Sequence, residues 1–442
     1  MKKLLCTVLS TVLAMSSAAA LNMSAYADSA NTQQVSYNYW YNSSTGYTNE
    51  NAHTRQMEKL DRGLIAIKTD GGVYLSWRLF DSEDNIFGSA DKNVSFNVYR
   101  DGKKISEVAT KTNYVDSTVG TNYSVAPVIN GVEGEICDAV TVYNNSYFDI
   151  PLSKPDDETI YDPSGNELAT YSFFPADCST GDVDGDGEYE IIVKWTSSER
   201  DVGSPGDPAY SGTVHLAAYK LDGTKLWNND IELGKNVYSS AHTVQFLVYD
   251  FDGDGKSEVM CQTSLGSKDG QGKYVSNAAQ NDEEIKAITD EENSTADYRG
   301  YGRITEGKEF LTVFNGETGV AMDTINLPTT RGSENGVDYG DDFGNRSNRF
   351  VSDIAYLDGE KPYAIYLRGY YFGRNGKQRT SIAGISWDGT ALSPTYRFDT
   401  QKGQEGYYDG AYQYVGNGNH NCTVADVDND GKDEFITGAL CM

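Results

Sequence analysis

The sequence predicts an all-β protein, a small antiparallel β-sandwich followed by a β-propeller that is incomplete in this chain. Three observations predict it. Residues 54–146 hold short runs of alternating apolar and polar residues bounded by turn residues. From residue 147 onward, similar units recur at roughly 70-residue spacing, which is the signature of a repeat architecture. Within those units an acidic nine-residue loop occurs three times, each time just ahead of a strand-like run.

The elements follow in order. Met1-Lys2-Lys3 precedes a largely apolar stretch, Leu4 to Leu13, and then small residues that lead to Ala25-Tyr26-Ala27. This is the pattern of a secretory signal peptide over residues 1–27, and it predicts a secreted, extracellular protein. No later run approaches the ~20 apolar residues of a membrane span. Residues 28–53 read as a polar leader. Residues 54–146 carry strands such as Gly72–Trp77 and Ser95–Arg100, separated by turn signals at Asp70-Gly71-Gly72 and Asp101-Gly102. About ninety residues of this kind fit a sandwich of fibronectin-III type.

Charge narrows the partners. Removing the signal peptide leaves 34 basic residues against 65 acidic ones, a net charge of −31. Such a balance argues against nucleic acid and anionic membrane surfaces. A monomer is expected. Five cysteines remain after export, far apart and without C-x-x-C spacing, so neither a zinc site nor a disulfide-dense scaffold is predicted.

Residues 147–442 carry the repeats. The acidic loops read Asp182-x-Asp184-x-Asp186-Gly187-x-x-Glu190, Asp250-x-Asp252-x-Asp254-Gly255-x-x-Glu258 and Asp426-x-Asp428-x-Asp430-Gly431-x-x-Glu434. Carboxylates at positions 1, 3, 5 and 9 suit Ca²⁺, which takes oxygen ligands at roughly 2.3–2.6 Å. Position 7 (Glu188, Lys256, Lys432) can add its backbone carbonyl. An EF-hand needs a glutamate at position 12, and the residues there are Val193, Cys261 and Thr437. The alternative is an acidic turn between strands, since Asp and Gly are ordinary turn residues. A degenerate copy stands at Asp353–Gly359, and a polar, glycine-rich insertion at Gly266–Gly302. The chain ends soon after the third loop, and this is read as a truncated propeller.

These residues carry a family resemblance. Asp182–Trp195, Ala241–Gly255, Leu367–Tyr371 and Gly418–Asp426 resemble polysaccharide lyase family 11, the rhamnogalacturonan lyases, and so do Met57–Gly63 and Asn97–Gly102. The resemblance implies an N-terminal β-domain, an eight-bladed propeller rich in calcium, and eliminative cleavage of the rhamnose–galacturonate backbone of pectin. It implies that His420 lies near a calcium ion by the cleft, and that His242 and Arg368 bind substrate. The family's catalytic Arg and Lys sit in segments beyond Met442, so no catalytic residue is assigned here. After Trp195 the chain departs from the family pattern, with Thr196–Arg200 in place of an Asp-Pro-rich segment.

Two functions compete. The first is a calcium-dependent, pectin-degrading lyase acting on rhamnogalacturonan I. The second is a non-catalytic, calcium-stabilised propeller fragment that binds glycan or protein. Trp195, Trp227, Tyr370 and Tyr371 are candidate sugar-stacking residues, set against ordinary core packing.

Overall fold

The computed structural model describes residues 55–80, 83, 93–109, 111–197, 210–240, 243–371, 377–428, 430–438 and 440–442. The expected signal peptide and polar leader lie outside the described residues.

Two antiparallel sheets form the first module. One orders β1 (Ile65–Thr69), β2 (Gly72–Ser76) and β5 (Asn113–Asp116). The other joins β4 (Lys103–Ala109), β3 (Val94–Arg100), β6 (Asn122–Ile129) and β7 (Val132–Glu133), with β8 (Val140–Thr141) also on β6. Alternation along each strand sends one face inward, so Val73, Leu75 and Trp77 meet Phe96, Val98 and Val125 in one core. Each such side chain contributes about 1.5–3 kcal/mol by leaving water. The Trp77 and Phe96 rings meet edge-on at 5.5 Å. A hairpin of β9 (Glu158–Tyr161) and β10 (Glu167–Tyr171) follows.

Four further sheets then succeed one another, each ordered as the chain runs. The first is β11 (Phe174–Gly181), β12 (Glu190–Thr196), β13 (His215–Tyr219) and β14 (Ile231–Glu232). The second is β15 (Phe246–Tyr249), β16 (Glu258–Ser264), β19 (Glu309–Asn315) and β20 (Ala321–Asn326). Its excursion between β16 and β19 carries two short helices, α1 (Glu283–Lys286) and α2 (Asp290–Thr295), and a small hairpin, β17 (Arg299–Gly300) and β18 (Arg303–Ile304). The third is β21 (Phe350–Ala355), β22 (Tyr363–Gly369), β23 (Thr380–Trp387) and β24 (Leu392–Asp399). The fourth holds β25 (Thr423–Ala425), β26 (Glu434–Thr437) and β27 (Leu440–Cys441).

The sheets stack through apolar faces, which explains why their second strands are apolar on both sides. In β16, Val259 and Cys261 join the core shared with the first sheet, while Met260 joins the core shared with the third. In β22, Ala364 and Tyr366 face the second sheet, while Ile365 and Leu367 face the fourth. A strand enclosed in this way reads as a continuous apolar run rather than an alternating one. All five described cysteines are free thiols.

This topology separates two rims. In each of these four sheets the turn between first and second strands lies at one rim, and the start of the first strand lies at the other. The three acidic loops occupy the first of these. A seven-residue strand such as β12 rises about 3.3 Å per residue, so the rims are about 20 Å apart. The degenerate copy keeps its turn without the acidic cluster. There Asp358 accepts the amides of Glu360 and Lys361, both at 2.8 Å, and the Tyr363 hydroxyl.

Candidate functional site

The three acidic loops fold alike because their side chains bind their own backbone. The first aspartate of each accepts the amide of the position-6 glycine, at 2.8 Å in Asp182, 3.0 Å in Asp250 and 3.0 Å in Asp426. Those glycines have φ of 91°, 99° and 91°, a left-handed region costly for residues with a Cβ. The closing glutamate turns back to accept the amide of position 2, at 3.0 Å in Glu190, 2.9 Å in Glu258 and 2.9 Å in Glu434. The amides of Glu188, Lys256 and Lys432 donate to Asp186, Asp254 and Asp430, which holds position 7 in place. The Lys256 side chain is drawn away to Glu317.

Carboxylates converge as a result. Ligand atoms of Asp182, Asp184 and Glu190 lie within 4.8 Å of one another, as do those of Asp250, Asp252 and Asp254, and those of Asp426, Asp428 and Glu434. The cost shows in their protonation. Burial, then the neighbouring aspartates, pushes Glu258 up to about 9 and Glu190 up to about 7. Burial raises Asp182, Asp250 and Glu434 as well. Asp184 Oδ1 is buried and accepts no hydrogen bond. Hard carboxylate oxygens gathered in this way, one of them orphaned, fit a divalent cation such as Ca²⁺. In the first loop the carboxylates themselves have a cationic neighbour, Lys220, whose ammonium lies 2.5 Å from Asp184 and 3.1 Å from Asp186.

Residues 55–59 bind the same rim. Arg55 pairs with Asp433 at 2.9 Å, Gln56 Nε2 donates to the Phe251 carbonyl at 3.1 Å, and Lys59 reaches the Asp254 carbonyl at 3.3 Å. Glu58 accepts from Ser257 and Tyr189. The loops therefore hold the segment that leads into the first module.

The opposite rim carries a pocket of about 160 Å³, lined by Gln245, Arg349, Ser352, Tyr370, Asn419 and His420 among others. The strand that ends at Gly369 delivers Tyr370, the turn before β21 delivers Arg349, and the loop before β25 delivers His420. The Tyr370 hydroxyl lies 2.8 Å from Nδ1 and 2.5 Å from Nε2 of His420. Their rings meet edge-on at 4.6 Å. The Arg349 guanidinium sits 5.3 Å from the centre of the Tyr370 ring. Arg346 sits 5.4 Å from the Tyr370 and Tyr371 rings and donates to the Tyr371 carbonyl at 2.6 Å. Burial, followed by Asp353, pushes the Cys422 thiol of the pocket up to about 12, so no thiolate forms near neutral pH. The arrangement offers cations and aromatic faces to an anionic, ring-shaped ligand.

The structure redistributes the expected site residues. Arg368, expected to bind substrate, is fully buried. Its guanidinium donates to Glu309 at 2.6 and 2.8 Å, to the Thr329 carbonyl at 3.0 Å and to the Ser347 carbonyl at 2.5 Å. Four of its five N–H donors are thus used inside the protein, and a ligand does not reach it. His420, expected beside a cation, belongs to none of the three carboxylate groups among the described residues and faces Tyr370 instead. The lining residues named with it are neutral or cationic, which suits an anion better than Ca²⁺. His242 lies outside the described residues. Trp195 and Trp227 are core. The sequence alone gives Arg349 no role and does not single out Arg346. Their one signal is a pair of arginines just before β21, opposite the Arg368-Gly369-Tyr370-Tyr371 run.

Fold and site together define an all-β protein with cation-suited loops on one rim and an arginine–tyrosine pocket on the other. The profile of rhamnogalacturonan lyase family 11, C-terminal domain, matches residues 147–442, and that of the rhamnogalacturonan I lyases beta-sheet domain matches residues 55–143. The chain belongs to rhamnogalacturonan lyase family 11. It is 43% identical over 393 residues to rhamnogalacturonan endolyase YesW of Bacillus subtilis (strain 168), a match covering 88% of this chain and 56% of that relative. It is 41% identical over 395 residues to rhamnogalacturonan exolyase YesX of the same organism, covering 88% and 57%. The solved structure of Bacillus licheniformis rhamnogalacturonan lyase PL11 superposes with a TM-score of 0.71 at 43% identity, covering 88% of this chain and 60% of that one. The chain thus spans little more than half the length of these curated relatives.

Proposed function

We propose that this chain belongs to a secreted, calcium-dependent lyase that cleaves the rhamnose–galacturonate backbone of rhamnogalacturonan I by β-elimination. In this reading the N-terminal sheets are a fibronectin-III-like platform, and the four stacked sheets are blades of a calcium-binding propeller. The observation that carries it is the Arg349–Tyr370–His420 pocket in a chain of this family. Elimination removes the proton α to a uronate carboxylate, and a cation at that carboxylate stabilises the developing enolate charge. Arg349 supplies a permanent cation there, and the faces of Tyr370 and Tyr371 take the sugar ring. His420, in hydrogen-bond contact with Tyr370, presents the pocket's imidazole, and it takes or relays a proton. Bound Ca²⁺ supplies charge neutralisation in the acidic loops, about 20 Å from the pocket. The chain's own loops then hold residues 55–59 and the sheet turns in place.

A second reading, a glycan-binding module without lyase chemistry, draws on the pocket lining, which among the described residues holds no carboxylate and no lysine. Ultraviolet absorbance of unsaturated uronide ends separates the two. Purified chain with rhamnogalacturonan I and calcium is expected to produce a steady rise. A flat trace with saturable binding of the polymer selects the second reading.

A further inference from the structure

We propose that Tyr408, Tyr412 and Tyr414 form a stacking platform for neutral sugar rings, beside the Arg349 pocket and on the same rim. The proposal rests on the glycan reading above and assigns a second ligand chemistry next to it.

The strand β24 ends at Asp399 on the pocket rim, and β25 begins there at Thr423, so the intervening loop lies on that rim. The loop is anchored at several points. Ala411 is fully buried in the core of the third and fourth sheets. The Gly416 amide donates to the Gln378 carbonyl at 2.8 Å, and Asn417 Nδ2 donates to the Tyr414 carbonyl at 2.9 Å. Gly418 packs so closely on Gly369 and Tyr370 that a Cβ there would come within 2.7 Å of their backbone. Two residues later the chain enters the pocket as His420.

On this anchored loop the rings turn outward. Tyr412 is 60% exposed, Tyr408 51% and Tyr414 37%. Tyr408 and Tyr414 both lean on Phe398, with ring centres 6.1 Å from it, so their orientation is set from below. Three large aromatics held at the surface form a patch of the kind that marks a binding surface. Their electron-rich faces suit the C–H faces of sugars, and their hydroxyls suit sugar hydroxyls.

Charge selects which sugars. Residues 405–418 hold two acids and no lysine or arginine; Glu405 is paired with Arg397 at 3.2 Å, which leaves Asp409 to set the local charge. A uronate ring is disfavoured there and favoured at Arg349. The platform therefore takes neutral hexose or deoxyhexose rings, while the pocket takes the acidic one. A polymer that carries both kinds engages both surfaces at once.

Affinity gel electrophoresis of the full chain with two probes, a neutral galactan and an oligogalacturonide, tests this. The double variant Tyr412→Ala/Tyr414→Ala is expected to bind the galactan about tenfold more weakly, with oligogalacturonide binding unchanged. Tyr412→Phe, which keeps the ring, is expected to retain galactan binding. An unchanged thermal midpoint establishes that the fold survives. Equal galactan affinity for the wild type and the double variant overturns the platform. If galactan binds through the tyrosines while oligogalacturonide does not bind at all, the pocket reading fails and the platform stands.

Discussion

Arg368 and Glu309 form a buried ion pair, with Nη1 and Nη2 at 2.6 and 2.8 Å from the two carboxylate oxygens. The pair ties β22 of the third sheet to β19 of the second, and Arg331 joins it from the following loop. Burial alone would raise Glu309, yet Arg368 and Arg331 hold it below the usual carboxylate range. The pair is a structural joint between sheets, although its arginine stands in a motif that points toward substrate.

Removing that arginine leaves a buried carboxylate short of a partner. Arg368→Ala is expected to lose about 3–5 kcal/mol of unfolding free energy, the usual cost of breaking a buried pair from one side. Urea titration measures it. The folded fraction is expected to bind oligogalacturonide with unchanged affinity, and a selective loss of binding without loss of stability would return Arg368 to the substrate site.

The acidic loops make a different claim. Asp252→Ala and Asp184→Asn each remove a converging carboxylate, so calcium is expected to raise their thermal midpoints less than it raises that of the wild type. In chelator the variants and the wild type should differ little. His420→Ala serves as the control, since this residue lies on the other rim, and it should keep the full calcium-induced shift.

Protonation of the loops gives a pH dependence with a definite sign. In the ion-free protein, Glu258 and Glu190 are pushed up to about 9 and about 7, against an ordinary value of 4.5. The folded state then binds more protons than the unfolded one. Their contribution to stability is full below about 4.5 and is lost as pH rises through about 7 and 9. Thermal midpoints in chelator are therefore expected to fall from mildly acidic toward alkaline pH. Excess calcium, which favours the deprotonated carboxylates, should abolish that fall. A chelator profile that is flat over the same range would contradict the assignment.

Arg349 carries the charge argument at the pocket. Arg349→Ala is expected to weaken oligogalacturonide binding at least about tenfold, the effect of losing one charge-assisted contact. Arg349→Lys should recover part of it, because a lysine keeps the charge and loses the planar fork. Calorimetric titration at two salt concentrations measures both variants, and insensitivity of the wild type to salt would argue against a charge-led contact.

Much of this was legible in local patterns. The all-β class follows from short strands bounded by Asp-Gly turns, such as Asp101-Gly102. The acidic loops are legible because nine residues suffice to write them, with Gly187, Gly255 and Gly431 in a left-handed backbone conformation. The polar excursion after β16 is likewise visible as a break in the repeat.

What the sequence by itself determined is therefore whatever is encoded within a turn or a strand: the class, the repeat, and the carboxylate spacing of each loop. The tertiary structure alone decided which of these meet. Arg368 is internal because the neighbouring sheet presents Glu309, a residue 59 positions away, to its guanidinium. His420 meets Tyr370 across 50 positions, and the acidic loops stand apart from both. The reason is geometric. A strand carries its two ends to opposite rims, and only the pairing of distant strands decides which loops share a rim.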